Sequence, residues 1–140
     1  MILEAGFIVP DPDLPDSERW KTSRGPDYYP YARHLNGVSL FDFKDFDPVA
    51  YSAACPLSSW WTFVPIREGW EASIWIEIDK DEIEGIYIGC DALVSRWKAE
   101  SARQHTLMPG IEAAVIGRIP VSAFRQVYRA SNSHFQLLNV

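Results

Sequence analysis

Half of the prolines, Pro10, Pro12, Pro15, Pro26 and Pro30, fall within the first thirty residues. Proline fixes φ and lacks the N–H that a helix interior needs, so no long helix fits there. Together with the charged stretch DLPDSERWKTSRGPD, these prolines predict an extended N-terminal loop region over residues 1–36, leaving 37–140 for the sheet core. An irregular segment of that length in a compact domain is usually functional or partly mobile. Its aromatic tail, Tyr28-Tyr29-Pro30-Tyr31, either packs on the core, the slightly favoured reading, or folds back over a pocket.

Beyond the proline-rich start, turn signals divide the chain into short segments. VSLFDF after Asn36-Gly37 alternates as a strand does. Asp47-Pro48 opens a short helix, DPVAYSAAC, with Asp47 as N-cap and Pro48 at the first helical position. In EASIWIEID, Ile74, Ile76 and Ile78 share one face, expected to be core, and Ser73, Trp75, Glu77 and Asp79 share the other. GIYIG reads as a further short strand. DALVSRWKAESARQ reads as a helix capped by Asp91, with Leu93 and Trp97 one turn apart. IEAAVIG is the next strand, IPVSAFRQVY a turn into a brief helical or extended segment, and HFQLL a final strand. Strands with few short helices predict an α+β fold with a mainly antiparallel sheet. The 140 residues, 47% hydrophobic and 14% aromatic, suffice for one sizeable core, so a single domain is expected.

The 19 acidic against 13 basic residues give a formal charge of −6, which argues against broad, non-specific binding to nucleic acid or anionic membranes. From Arg118 to the C-terminus there are three arginines, Arg118, Arg125 and Arg129, and no acid. An anionic partner would bind there, although solvated arginines are the simpler reading. Cys55 and Cys90 fit no metal or disulfide pattern and are expected to be reduced structural thiols of a cytoplasmic protein. Neither a signal peptide nor a membrane-spanning apolar run is legible.

Phosphate-loop, dinucleotide, zincin and hydrolase-elbow motifs are all missing, and His34, His105 and His134 are scattered. Nothing local suggests a Cys/His or Ser/His nucleophile system, whose partners would meet in space and not in sequence, and the candidates that remain are carboxylates on strands: Asp42, Glu77, Asp79 and Glu112. Glu77 and Asp79 share a strand face, a spacing able to hold a divalent ion and common on any exposed strand edge. Glu112 opens a run that is apolar on both faces, as a central strand is. A carboxylate there either sits solvated at the strand end or points into a cleft.

The order of segments resembles the ADP-ribosyltransferase superfamily, in particular its small bacterial toxin-like and RNA 2′-phosphotransferase-like members. The resembling phrases are Ile2-Leu3-Glu4-Ala5-Gly6-Phe7-Ile8, Gly37-Val38-Ser39-Leu40-Phe41, Ile74-Trp75-Ile76-Glu77-Ile78-Asp79, and the strand from Glu112 that runs to a closing turn at Ile119-Pro120. The resemblance implies a split antiparallel sheet and NAD as substrate. It also implies Glu112 as the catalytic carboxylate facing an oxocarbenium-like ribose, with Ser39 supporting the nicotinamide pocket and positioning the glutamate. Position in the order of segments assigns Arg33 or His34 to NAD phosphate or ribose, and Tyr28, Tyr29 or Tyr31 to ring stacking. Family members carry a strand with His or Arg ahead of the helix phrase, whereas this sequence starts with Met1 inside it. A truncated or misassigned start, replacement by Arg33 or His34, and a fold kept for binding alone are the three alternatives.

The expectation is then an NAD-dependent transferase that moves ADP-ribose onto a protein or nucleic-acid acceptor. The resemblance alone implies a bacterial toxin or phage-conflict role, and with it a neutralising protein partner. The rival is a non-catalytic interaction module whose six tryptophans, Trp60, Trp61 and Trp70 among them, form a partly exposed binding patch that would give a homo-oligomer or require a protein partner, with core filling the simpler reading for each tryptophan alone. A metal-dependent hydrolase or nuclease built on Asp42, Glu77 and Asp79 is a third and more distant reading.

Overall fold

The computed structural model describes residues 2–15, 17–19, 22, 24–132 and 134–139. Met1 of the helix phrase, and Asp16, Trp20, Lys21 and Ser23 of the proline-rich segment, lie outside the described residues, as do Ser133 and Val140. In chain order the elements are α1 (Ile2–Ala5), β1 (Phe7–Ile8), α2 (Tyr31–His34), β2 (Gly37–Phe41), α3 (Pro48–Ala54), β3 (Ser73–Ile78), β4 (Tyr87–Ile88), α4 (Cys90–Ala99), β5 (Glu112–Ile116), β6 (Ile119–Pro120), β7 (Phe124–Ser131) and β8 (His134–Leu138). They form three antiparallel sheets, ordered β1-β6, β2-β5-β4 and β3-β7-β8, an α+β arrangement with few helices.

Strand β5 is the centre of the molecule. Its residues Ala113, Ala114 and Val115 are fully buried, because alternate side chains enter two different core clusters. Ala114 packs with Tyr31, Ala32, Leu93 and Ala102 on one face. Val115 packs with Ile83, Ile119 and Ala123 on the other. The small residues of β5 let its neighbours come close. At Gly37 a Cβ would stand 2.9 Å from the Val115 carbonyl and 3.0 Å from that of Ala32, so only glycine fits where β2 and α2 meet β5.

Several local readings are corrected. Strand β1 lies inside the proline-rich segment and pairs with β6, so Ile119-Pro120 is a strand and not the turn that ends β5. That turn is Gly117-Arg118, with Gly117 at φ 77°. Helix α4 has Gly89 as N-cap without a side-chain bond, which leaves Asp91 in the first turn. It stops at Ala99, before the expected Gln104, because Ser101 turns to φ 52°. Ile74 is 55% exposed, since β3 is an edge strand and Ile74 lies opposite Arg129. The segment after Pro120 resolves into a 3₁₀ turn, Val121–Ala123, and an eight-residue strand. Helix α3 starts as expected, with the Asp47 carboxylate accepting from the N–H groups of Val49 and Ala50. Cys55 and Cys90 are free and half-buried. Among the described residues no helix is long and apolar enough to cross a membrane.

Candidate functional site

The residues 108–112 form a tight turn into β5, with Gly110 at φ 78° and the Glu112 N–H donating to the Met108 carbonyl at 3.0 Å. This turn aims the Glu112 side chain at a cavity of about 590 Å³, a size suited to a small-molecule ligand. Glu112 is only 7% exposed, which excludes the solvated strand-end reading. One carboxylate oxygen accepts from the Ser39 hydroxyl at 2.9 Å and the other from the Met108 N–H at 2.8 Å. Ser39 reaches it because the β2–β5 register puts Phe41 opposite Glu112 and Ser39 opposite Ala114, so Ser39 and Glu112 stand diagonally on one face.

Both partners of Glu112 are neutral donors. Burial pushes its pKa up from the ordinary carboxylate value, and the bonds from Met108 and Ser39 offset part of that rise. A buried carboxyl with a raised pKa, held by two donors on the wall of a cavity, makes Glu112 the candidate for chemistry at this site. The remaining wall mixes hydroxyls with apolar side chains, among them Ser58, Thr62, Phe41, Phe63 and Leu107.

Of the residues that sequence order assigns to cofactor binding, Tyr28 lines this cavity and Arg33, His34, Tyr29 and Tyr31 do not. Tyr31 is fully buried in the core beside Leu93, and its hydroxyl donates to Glu100 at 2.7 Å. Arg33 pairs with Asp11 at 2.7 Å and covers the Tyr29 ring at 4.9 Å. His34 stacks on His105, with ring centroids 4.4 Å apart, and His105 also meets Tyr29 at 4.6 Å. The physical reason is local: Tyr31 and His34 of the single turn α2 face Glu100 and His105 at the end of α4 and in the loop after it, Tyr29 packs on the same His105, and Arg33 turns to Asp11, while Pro30 and Thr106 line the cavity. Arg67 lines the cavity, and its guanidinium lies 5.8 Å from the Trp70 ring centroid. It is the single cation among the described lining residues, and the sequence around it carries no motif that would have marked it.

The other strand carboxylates do not converge. Asp42 accepts from Lys80 and from the Tyr87 hydroxyl, each at 2.7 Å. Glu77 faces Arg125 at 3.7 Å, and Asp79 accepts from the Asp81 N–H at 3.0 Å. Among the described residues no three His, Cys, Asp or Glu side chains gather in a way that holds a metal ion. No family model, curated protein or solved structure matches this chain.

Proposed function

We propose that the chain is an ADP-ribosyltransferase-like enzyme that cleaves NAD in the Glu112 cavity and transfers ADP-ribose to a protein or nucleic-acid acceptor. The observation that carries this reading is Glu112 itself: a buried carboxyl at the cavity wall, held in one orientation by Ser39 and Met108. When the bond between ribose C1′ and nicotinamide nitrogen breaks, the nitrogen keeps the electron pair and leaves as neutral nicotinamide. Positive charge then develops on the ribose. A fixed carboxylate in a water-poor site stabilises that charge more strongly than one in water. The nucleophile bonds to C1′ and gives up its proton to the same carboxylate or to solvent. Arg67, the cation among the described lining residues, supplies positive charge for the diphosphate in place of Arg33 and His34, which do not line the cavity.

Nicotinamide release from NAD by the wild type and Glu112→Gln tests the reading. Loss of turnover in the variant is expected, and equal turnover would refute it. A binding-module reading draws on a separate observation: Val49, Leu57, Trp61 and Trp70 are 81%, 99%, 55% and 46% exposed, all within one segment next to the cavity. Light scattering of the purified chain separates it, since an apolar interface of this kind would give a homo-oligomer or a co-purified partner.

A further inference from the structure

Two stretches of the Glu112 cavity wall are joined by a short parallel pairing of Pro30 with Thr106. The Thr106 N–H donates to the Tyr29 carbonyl at 3.0 Å, and the Tyr31 N–H donates to the Thr106 carbonyl at 2.8 Å. Tyr28 and Pro30 on one stretch, and Thr106, Leu107 and Met108 on the other, line the cavity. Met108 is also one of the two donors that hold Glu112.

Next to this pairing lies His105, only 5% exposed. Its ring centroid is 4.4 Å from that of His34, in a near-parallel stack, and 4.6 Å from that of Tyr29. Its carbonyl accepts from the Trp97 indole N–H at 3.2 Å. Among the described residues the His105 Nδ1 has no hydrogen-bond partner. A neutral imidazole leaves one ring nitrogen without a proton, whereas an imidazolium carries a proton on both. Protonation would therefore place a cation and an unmatched donor in a site almost closed to water, which is costly. The groups packed around the His34–His105 pair offer no free anion. From α2 come Tyr31 and His34, and before them Tyr29, covered by an Arg33 guanidinium that is paired with Asp11. From the end of α4 comes Glu100, whose two oxygens already accept from the Tyr31 hydroxyl at 2.7 Å and from Arg96 at 2.8 Å. Burial is the main cause that lowers the His105 pKa from 6.5; the charge of His34 adds to it, and a backbone hydrogen bond at Tyr29 opposes it.

We propose that the His34–His105 stack is a pH-sensitive clasp: neutral His105 keeps residues 29–31 paired with 105–106, and its protonation releases that pairing and opens one wall of the Glu112 cavity. Met108 stands two residues beyond the pairing, so release also loosens a donor to Glu112. The sign follows from linkage. In the open segment His105 protonates at its ordinary value of 6.5, and in the closed one only at lower pH, so the closed form is fully favoured above 6.5 and loses ground as pH falls below it.

Hydrogen exchange of the Tyr31 and Thr106 amides at pH 7.5 and 5.5, corrected for the intrinsic pH dependence of exchange, tests this. Protection of both should fall by up to about tenfold in the wild type, the factor by which an ordinary histidine gains protons over that range. The Asp42 amide, bonded to the Ile111 carbonyl, should keep its protection and so exclude global unfolding. His105→Phe retains a ring in the stack without a titrating group, and its protection should change by less than about twofold. His34→Phe and Glu112→Gln should both retain the fall, because His105 still titrates in them. Equal protection at the two pH values in the wild type, an undiminished fall in His105→Phe, or loss of the fall in Glu112→Gln would overturn the clasp. If His105→Phe does not fold, the ring resonances of wild-type His105 decide, and an imidazole more than half protonated at pH 6.5 overturns it. None of these readouts uses NAD, so the clasp and the NAD reading stand or fall separately.

Discussion

Two carboxylates at one end of the β2–β5 ladder have opposite fates. Glu112 pairs with Phe41 across the ladder, and the next residue, Asp42, continues it through its N–H to the Ile111 carbonyl at 2.8 Å. Strand alternation sends the two side chains to opposite faces. Asp42 lines an open cleft with Lys44, Lys80, Tyr87 and Cys90. It is matched by the ammonium of Lys80, which is the main reason its pKa is lowered. Among the described residues Glu112 meets only neutral donors, and its pKa is raised by burial. A charge matched by a cation is at rest. An unmatched carboxyl in a cavity is costly to ionise, and the fold retains it at that cost.

The comparison breaks first on activity. Glu112→Gln should lower nicotinamide release at least about a hundredfold, the effect of removing one preorganised electrostatic partner, whereas Asp42→Asn should stay within about twofold. Chromatographic quantification of nicotinamide at saturating NAD distinguishes the two. Ser39→Ala should come next, with about a tenfold loss, because Glu112 then keeps one donor for its ionised form.

The pH profile sharpens the contrast. Glu112 must be ionised to stabilise a cation, and its pKa is raised, so kcat/KM should fall on acidification from a pH above the ordinary carboxylate value of 4.5. Ser39→Ala should move that limb to still higher pH. Asp42, whose pKa is lowered from 3.8, should contribute no limb above that value.

The smallest effects are on stability, and they run in opposite directions. A carboxyl whose folded pKa lies above its unfolded one stabilises the fold fully below the unfolded value. That contribution is lost as pH rises through the folded pKa. Glu112→Gln should therefore raise the neutral-pH melting temperature by about 2–4 °C, a gain that disappears in acid. Asp42 has the depressed pKa, so its contribution is present above the unfolded value of 3.8 and lost as pH falls through the folded one. With Lys80 more than half exposed, Asp42→Asn should cost well under about 1 kcal/mol and lower the melting temperature by no more than about 2 °C. Differential scanning calorimetry at pH 3.5 and 7.5 measures both.

Much of the local structure was legible in the sequence. The Asp47-Pro48 helix start, the alternation in VSLFDF, and the two-sided apolar run after Glu112 are properties of neighbouring residues, and neighbours decide capping and strand period. The same run marked Glu112 as an unusual place for a charge. Its burial, its two donors and the cavity in front of it came only from the pairing of β2 with β5, which joins residues more than seventy positions apart. Arg67 and Ser58 reach that cavity from a segment without a motif. Arg33, His34, Tyr29 and Tyr31 find their partners outside its lining, in Asp11, His105 and Glu100. Sequence by itself determined strands β2 to β5 and β8 and marked Glu112 as an unusual place for a charge, whereas β1, β6 and the strand character of β7 came only with the fold. Tertiary structure alone decided which side chains face it, because contacts across a sheet follow from register, and register depends on both partners at once.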